Sequence, residues 1–171
     1  MIKDVLEFEN VTFKDHRGFF SRIYDKNLST NFDSEIYQVN LSYNPQIHTL
    51  RGLHYQINMR TEHKVVKVIN GSIYLAIVDL RAESDSYLGV HQRYLTAKDE
   101  ISIFIPAGCA TGWLTTEEKT NILYLMTESY ENCQYSGIRY DDPAIGIDWP
   151  FLPKVISQKD LLWENLKLCN P

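Results

Sequence analysis

Short runs of β-branched and aromatic residues, separated by glycine, proline, asparagine and aspartate, constrain the fold of this chain most strongly. Such runs predict β-strands, because these side chains pack well on a pleated surface and the separating residues favour turns. Asn70-Gly71 between two runs predicts a hairpin, since a tight primed turn needs residues that tolerate positive φ. Many strands with few helical patterns indicate a β-sandwich or a small barrel. The clearest runs are Lys64–Ile69, Ser72–Leu80, Val90–Leu95, Ile101–Ile105 and Asn121–Thr127.

Several of these runs are apolar on both faces, which is expected where one sheet face meets the core and the other meets a ligand cavity or a partner chain. Ser157, followed three residues later by Asp160, is typical of a helix N-terminus. The 171 residues contain no evident repeat, linker or low-complexity tract. We therefore predict one all-β domain over residues 1–171, with short peripheral helices and a short C-terminal helix.

Composition narrows the classes of function. The hydrophobic fraction of 44% and the charged fraction of 23% are those of an ordinary globular protein. A net charge of −5 provides no basic footprint for nucleic acid and disfavours binding to anionic membranes. No apolar run is long enough for a signal peptide or a membrane span, so cytoplasmic residence is expected.

The three cysteines, Cys109, Cys133 and Cys169, have no CxxC spacing, so neither a disulfide framework nor a zinc site is expected. Cys109, within Pro-Ala-Gly-Cys-Ala, is expected to be a small buried residue rather than a nucleophile. None of the three is assigned to chemistry.

The run Arg51-Gly-Leu-His54-Tyr-Gln contains the most informative polar residue of the chain, His54, and Lys64 opens an apolar run ten residues later. A base near neutral pKa beside a cation is what proton abstraction next to a carbonyl requires, because the developing enolate needs positive charge or a donor. On this motif alone, a structural histidine is the competing interpretation.

An ordered series of short motifs resembles the dTDP-4-dehydrorhamnose 3,5-epimerase family of sugar-nucleotide epimerases. Each motif alone is weak, but their order over nearly the whole chain is specific. The resemblance implies a double-stranded β-helix (cupin or jelly-roll) fold and no cofactor. The motifs are Asp15-x-Arg17-Gly-Phe-Phe20, Gln38-Val-Asn40, Arg51-Gly-Leu-His54-Tyr-Gln56, Lys64, Gly71, Val78-Asp-Leu-Arg81, Ser84, Gly89, Ile105-Pro-x-Gly108, Tyr124, Tyr130, Gly137-Ile-Arg-Tyr-Asp-Asp-Pro143, Ile147-Asp-Trp-Pro150 and Ser157-x-Lys159-Asp160.

By this resemblance, four residues carry the chemistry. His54 is the base that removes protons next to the C4 ketone of a 4-keto sugar, and Asp160 orients it, although Asp160 could instead act only as a helix-capping residue. Tyr124 is the acid that returns a proton on the opposite face of the ring, for which a neutral phenol is suited. Lys64 stabilises the enolate. Lys67 faces away from Lys64 and is expected to be solvated.

The resemblance also implies a set of substrate-binding residues. Arg17 and Arg51 hold the phosphates, because the planar guanidinium matches a diphosphate. Gln38, Asn40 and Tyr130 line the nucleotide and sugar pocket, and Tyr130 stacks on or flanks the base. The set is Arg17, Phe20, Arg22, Gln38, Asn40, Arg51, Thr111 and Tyr130.

Two positions depart from the family pattern. Thr111 stands where the family has a pocket histidine, which alters a hydrogen bond or a titrating group near the sugar. Arg22 stands where the family has a glutamate, and arginine can only donate, whereas glutamate accepts the N3–H of thymine. The nucleobase therefore stays open between thymidine and a replacement such as guanosine or cytidine. Arg22 could equally point to solvent or pair with an acidic neighbour.

Three rival functions remain open on the sequence. A metal-dependent cupin requires a His-x-His pair, but Gln56 and Thr111 stand where histidines would be needed, and the five histidines have no clear ligand spacing. A narrower enzyme could invert only C3 or only C5, on a GDP- or CDP-linked sugar. A non-catalytic sugar-nucleotide-binding cupin is the third rival, and the joint presence of His54, Lys64, Tyr124 and Asp160 argues against it.

The resemblance finally implies a homodimer, in which the segment 17–22 contributes to the partner's pocket. A strand pattern that is apolar on two sides is consistent with one sheet face buried in another subunit.

Overall fold

The computed structural model describes residues 2–25, 35–57, 61–132 and 134–166. Within these ranges the regular secondary structure is almost entirely β-strand, as predicted. One short α-helix, α1 (Gln158–Leu161), and two 3₁₀ turns (Ala97–Asp99 and Tyr130–Asn132) are the helical segments of the described residues. The strands are β1 (Leu6–Glu9), β2 (Val11–Asp15), β3 (Gly18–Arg22), β4 (Gln38–Asn44), β5 (Thr49–Ile57), β6 (Lys64–Asn70), β7 (Ser72–Asp79), β8 (Val90–Thr96), β9 (Ile101–Ile105), β10 (Cys109–Thr115), β11 (Thr120–Met126), β12 (Gln134–Gly137) and β13 (Val155–Ile156).

Two large sheets form the body of the molecule. The first has the order β1-β9-β6-β11-β4, and the second has the order β12-β5-β10-β7-β8, with β13 added beside β5. All pairings are antiparallel except that of β13 with β5. Between β4 and β12 the chain crosses repeatedly from one sheet to the other. The strands β2 and β3 form a separate hairpin.

Branched apolar side chains from both sheets fill the space between them. Val66 and Ile122 from the first sheet and Ile73, Leu75 and Ile77 from the second belong to one buried cluster. They lie on the inner faces because successive side chains of a strand point to opposite faces. The intervening Val65, Ala76 and Val78 are buried as well, in two further clusters. The apolar runs seen in the sequence therefore reflect strands whose inner faces meet in a common core.

The turn at Asn70-Gly71 corrects one prediction. Gly71 has φ of +76°, as a tight turn requires, but β6 and β7 do not pair, because they lie in different sheets. A Cβ at Gly71 would lie 2.4 Å from Thr120 Oγ1, so the turn also packs closely on β11. The same turn chemistry thus serves a crossing between sheets instead of a hairpin.

The prediction that Lys67 is solvated is also wrong, because its side chain is only 7% exposed. Lys67 lies on the outer face of the first sheet, where its neighbour Val65 packs with Phe104 and Leu125 under the N-terminal residues. Burial lowers the pKa of Lys67, while the nearby charges of Asp99 and Glu100 act in the opposite direction.

Candidate active site

A cavity of about 300 Å³ opens between the two sheets. The first sheet contributes side chains from β4, β6 and β11, and the second contributes side chains from β5, β10 and β12. Helix α1 and the residues after it close one side. The lining residues are Gln38, Asn40, His54, Lys64, Val66, Thr111, Trp113, Tyr124, Met126, Tyr130, Tyr135, Lys159 and Trp163.

His54 reaches the cavity because of the local geometry of β5. Gly52 has φ of +111°, and a Cβ there would lie 2.7 Å from the Gly112 Cα of the neighbouring strand. Only glycine fits this close approach of β5 to β10. The register of the two strands shifts between Thr111 and Trp113, and His54 then lies opposite Thr111. The Arg-Gly sequence before His54 thus sets its position on the strand.

His54 and Asp160 form a hydrogen-bonded dyad, with 2.6 Å between His54 Nε2 and Asp160 Oδ1. Trp163 Nε1 donates to the same oxygen over 3.2 Å, and the Gly52 amide donates to Oδ2 over 3.3 Å. Because the carboxylate accepts from Nε2, the imidazole keeps its proton on that nitrogen and Nδ1 is the basic one. His54 is therefore oriented as a general base.

The electrostatics of Asp160 agree with this role. Asp160 is only 4% exposed, and this burial acts to raise the pKa of its carboxyl group. Hydrogen bonding and charge attraction from His54, together with the Gly52 and Trp163 donors, outweigh burial and hold the pKa of Asp160 below its usual range. Ser157 caps α1, and Asp160 takes part in the cap only through its backbone amide, which donates to Ser157 Oγ over 3.0 Å. Its side chain is thus committed to His54 and not to a capping box.

Tyr124 lies on β11, in the sheet opposite to that of His54. Its ring centroid lies 5.9 Å from that of Trp113, in a tilted arrangement. Burial is the main cause that raises the pKa of Tyr124 above its ordinary value, so the phenol keeps its proton at neutral pH. Tyr124 can therefore act as a proton donor from the side opposite to the base.

Lys64 begins β6 and lines the same cavity with a side chain that is mostly buried. Its Nζ lies 3.4 Å from Oε1 of Glu62, whose side chain is almost completely buried. The hydroxyl of Tyr135, another lining residue, donates to Oε2 of the same carboxylate. A buried anion thus contacts two of the polar groups in the cavity wall.

The remaining pocket residues predicted from the sequence fall into two groups, and four of them line the cavity. Gln38 Nε2 donates to the Glu128 carbonyl over 2.6 Å, which fixes its amide, and Asn40 lies two residues further along the same face of β4. Tyr130 is largely exposed at the rim, where its ring stacks on that of Tyr135 with 6.0 Å between centroids. Thr111 lies on the inner face of β10, opposite His54.

Four other predicted residues do not line the cavity of the single chain. Arg17 pairs with Asp15 at the tip of the β2–β3 hairpin, 2.6 Å between Nη2 and Oδ2, and Phe20 is exposed on the same hairpin. Arg51 Nε donates to Asn44 Oδ1 over 2.7 Å.

The fourth residue, Arg22, has its Nε 3.6 Å from Oδ2 of Asp25. The sequence had left open whether Arg22 pairs with an acidic neighbour, and in the structure it does.

Several residues of the site were missed in the sequence. Trp113 shares the inner face of β10 with Thr111. Because residues two apart on a strand point to the same face, the assignment of Thr111 to the pocket could have predicted Trp113 as well. Lys159 stands inside the Ser157-x-Lys-Asp160 motif. Trp163 and Glu62 carried no signal, because their positions depend on the path of the chain after α1 and before β6.

Two buried polar atoms of lining residues find no hydrogen-bond partner among the described residues, namely Thr111 Oγ1 and Trp113 Nε1. Leaving a buried donor unpaired costs about 1–3 kcal/mol, so such atoms are rare in folded proteins. Both lie on β10, where Thr111 is opposite His54 and Trp113 contacts the Tyr124 ring, so they are suited to meet polar groups of a bound molecule. Cys109 is buried as predicted, whereas Cys133 and Cys169 lie outside the described residues.

No three His, Cys, Asp or Glu side chains in the described part of the chain are grouped so as to hold a metal ion. Among the residues that line the cavity, Tyr124 offers an acid, His54 a base and Lys64 a cation. Separately, no helix among the residues described is long and apolar enough to cross a membrane.

Comparison with known proteins agrees with this geometry. Residues 1–167 match the family model described as dTDP-4-dehydrorhamnose 3,5-epimerase. The enzyme of that name from Sinorhizobium fredii is 36% identical over 151 residues, covering 86% of this chain and 77% of that protein. Its counterpart from Methanothermobacter thermautotrophicus is 34% identical over 163 residues, covering 93% of this chain and 88% of the relative.

Solved structures show the same relationship. The Bacillus anthracis dTDP-4-dehydrorhamnose 3,5-epimerase, with TDP and PPi bound, superposes with a TM-score of 0.90 at 32% identity, covering 95% of this chain and 94% of that one. The dTDP-6-deoxy-D-glucose-3,5-epimerase of Legionella pneumophila, in complex with dTDP-4-keto-L-rhamnose, gives a TM-score of 0.89 at 29% identity, with 99% and 91% covered.

These similarities confirm the predicted jelly-roll fold and the predicted class of enzyme. The chain belongs to the dTDP-4-dehydrorhamnose 3,5-epimerase family, and it is an isomerase that acts on sugar nucleotides.

Proposed function

We propose that this enzyme inverts C3 and C5 of a thymidine diphosphate 4-keto-6-deoxyhexose, a step in the synthesis of deoxysugars for surface polysaccharides. The observation that carries the proposal is the dyad of His54 on β5 and Asp160 on α1, in which His54 faces the cavity that Tyr124 lines from the other sheet. The names of the relatives and the bound TDP and dTDP-sugar in the two solved structures support the choice of substrate.

The first half of the reaction is proton abstraction. Carbons C3 and C5 flank the C4 ketone, so loss of either proton places the electron pair on the ketone oxygen as an enolate. His54 takes the proton, and Asp160 stabilises the imidazolium that forms. The ammonium of Lys64 offsets the negative charge on oxygen, an interaction stronger in the enolate than in the ketone and therefore one that accelerates the step.

The second half is protonation from the other face. The enolate returns its electron pair to carbon, and the phenol of Tyr124 supplies the proton from the opposite sheet, so the configuration inverts. Tyr124 and His54 then exchange protons with solvent and are reset. Tyr124→Phe is expected to keep abstraction and solvent exchange but to lose most epimerisation. His54→Ala is expected to lose both. Near wild-type turnover by both variants would show that the roles are wrongly assigned.

Thr111 is suited to contact the sugar, because its hydroxyl is buried, unpaired and next to His54. Thr111→Val keeps the shape of the side chain and removes the hydroxyl. We expect an increase in KM of about 5- to 10-fold, the value of one neutral hydrogen bond, with little change in the binding of TDP alone. An unchanged KM would remove Thr111 from the set of substrate contacts.

We propose thymidine as the base, since the pairing of Arg22 with Asp25 removes the main reason to expect a different one. Calorimetric titration with TDP, UDP, GDP and CDP tests this directly. TDP is expected to bind most tightly, and Arg22→Ala is expected to leave that order unchanged. Preference for GDP or CDP, lost in Arg22→Ala, would instead support the replacement of the base.

A homodimer is proposed as the working form. The outer face of β4 exposes Val39, Leu41 and Tyr43, each by more than half, and the β2–β3 hairpin exposes Phe19 and Phe20. An apolar face of this kind on an edge strand is suited to pair with a second copy. Sedimentation is expected to give a dimer at micromolar concentration, and Leu41→Asp is expected to shift it towards monomer.

A mixing experiment tests whether the hairpin serves the partner's pocket. If Arg17 acts across the interface, an Arg17→Ala chain and a His54→Ala chain each give a defective homodimer. Their heterodimer then contains one pocket with both residues intact, so refolding a mixture restores activity. Failure to restore it, with heterodimers present, would show that Arg17 does not act in trans.

A further inference from the structure

The buried carboxylate of Glu62 stands directly behind the cavity wall and contacts two of its polar groups. Its Oε1 lies 3.4 Å from Lys64 Nζ, and its Oε2 accepts the hydroxyl of Tyr135. The two carboxylate oxygens therefore face different groups: Oε2 accepts a hydrogen bond from β12, and Oε1 lies at ion-pair distance from the ammonium of β6. Neither the sequence motifs nor the proposed reaction assigned any role to Glu62.

The backbone holds Glu62 firmly in this place. The side-chain carbonyl of Gln56 accepts the amides of both Thr61 and Glu62, each over 3.0 Å. Gln56 is itself buried at the end of β5, so the segment before Lys64 is fastened to the sheet that carries His54. A carboxylate that is almost fully buried is rarely tolerated unless it is paired and hydrogen-bonded.

Because the Lys64 side chain is buried, the position of its ammonium depends on the Glu62 carboxylate. A lysine side chain has many rotamers and a single charged nitrogen, so it is placed accurately only where a partner fixes the nitrogen. The Lys64 side chain is only 13% exposed, and within the described residues its ammonium pairs with Glu62. Removing one member of such a pair leaves the other buried and unpaired.

We infer that Glu62 is a positioning residue that holds the Lys64 ammonium where the enolate oxygen of the substrate forms. This inference rests on the proposed function and deepens it, since it concerns the same proton-transfer reaction. Glu62 does not contact the substrate in this scheme and acts only through Lys64.

Glu62→Gln is the sharpest perturbation, because it keeps the size of the side chain and removes one acceptor. A glutamine has one oxygen and one NH₂ group, whereas the carboxylate accepts from Tyr135 Oη with one oxygen and forms an ion pair with Lys64 Nζ through the other. If the oxygen accepts from Tyr135, the NH₂ group faces the ammonium and displaces it. A shift of about 1 Å in a catalytic group reduces turnover by about 100-fold, so we expect kcat to fall about 10- to 100-fold with little change in KM.

A double-mutant cycle separates this role from a merely structural one. In a Lys64→Met background, Glu62→Gln is expected to change kcat by less than about twofold, because the group through which Glu62 acts has gone. A structural role would give the same fold reduction in both backgrounds, and that additivity would overturn the inference. Glu100→Gln is the matched control, since Glu100 pairs with Lys14 on the surface and lies outside the cavity. It is expected to retain wild-type kcat.

A measurement that needs no turnover completes the test. Reductive methylation followed by peptide mass spectrometry reports how firmly each lysine nitrogen is held. We expect Lys64 to be methylated at least about fivefold faster in Glu62→Gln than in the wild type, with Lys14 unchanged. Equal rates at Lys64 would overturn the inference even if the enzyme is active. Absence of turnover in the wild type, with the rate difference present, would instead refute the proposed function and leave the placement of Lys64 by Glu62 standing.

Discussion

Replacement of Asp160 by asparagine tests the dyad most informatively, because it changes the charge and one atom and keeps the volume. Three N–H donors converge on the carboxylate: His54 Nε2 and Trp163 Nε1 on Oδ1, and the Gly52 amide on Oδ2. Asparagine has a single oxygen. Whichever way the amide is turned, its NH₂ group faces at least one of these donors, and the anion that stabilises the imidazolium is lost.

The magnitude follows from these contacts. A hydrogen bond to a charged group contributes about 1.5–3 kcal/mol, and a donor left buried without an acceptor costs a similar amount. Loss of about 2–5 kcal/mol from the transition state corresponds to a reduction in kcat of about 30- to 5,000-fold. We therefore expect Asp160→Asn to fall between Tyr124→Phe and His54→Ala in the rate of proton abstraction.

The assay is solvent deuterium wash-in at the sugar carbons, followed by NMR, with thermal melting recorded in parallel. Trp163→Phe removes one of the three donors but keeps the charge, so a reduction of only about 3- to 10-fold is expected. Trp149→Phe is its control, because Trp149 Nε1 donates to the Tyr140 carbonyl away from the cavity. Deuterium exchange by Asp160→Asn at the wild-type rate would refute the catalytic role of the dyad. A loss of exchange explained entirely by unfolding of the variant would refute it as well.

Three further predictions concern the scaffold. Burial opposes ionisation of Asp79, but hydrogen bonds from Arg81, Ser86 and Ser84 outweigh it and hold the pKa of Asp79 well below its ordinary value. Asp79→Asn should therefore lower the free energy of unfolding by about 3 kcal/mol. Because the pKa of Asp79 is lowered in the folded protein, its contribution to stability is present above about pH 4 and is lost as the pH falls below that value. Denaturant titrations should therefore show the variant to be less stable than the wild type at pH 7 and nearly as stable in acid. Burial raises the pKa of Cys109 to about 12, so in a Cys133→Ser, Cys169→Ser background no thiol should react with Ellman's reagent at pH 8 until denaturant is added. A Cβ at position 137 would lie 2.3 Å from the Trp163 ring, so Gly137→Ala should displace Trp163 and lower kcat as much as Trp163→Phe does; an equal rate to wild type would contradict that packing.

The sequence predicted the strands from their own residues, but it could not predict which sheet each strand joins. Alternation along β6 and β7 defines two faces of each strand. However, β6 pairs with β9 and β11, and β7 pairs with β10 as well as with the next strand β8, so most of the partners are remote in the chain. Asn70-Gly71 was therefore read as a hairpin. Lys67 was expected in solvent for a related reason: alternation places it on the outer face of β6, but it does not show whether residues elsewhere in the fold bury that position.

The site was predictable where a motif carried it. His54, Lys64, Tyr124 and Asp160 were assigned by resemblance, and the cavity lies among them. Glu62 and Trp163 were not predictable, because each belongs to the site only through a contact made across the fold, to Lys64 or to Asp160. Such contacts depend on tertiary packing, to which local patterns are blind.

The proposed reaction is tested most directly by incubating the wild type and His54→Ala with dTDP-4-keto-6-deoxyglucose in deuterated water and locating deuterium by NMR. The wild type should incorporate deuterium at both C3 and C5 with inversion, and His54→Ala should incorporate none above the uncatalysed rate. Deuterium at one carbon alone would contradict double epimerisation. No deuterium in the wild-type product, or equal incorporation by His54→Ala, would contradict His54-mediated abstraction itself.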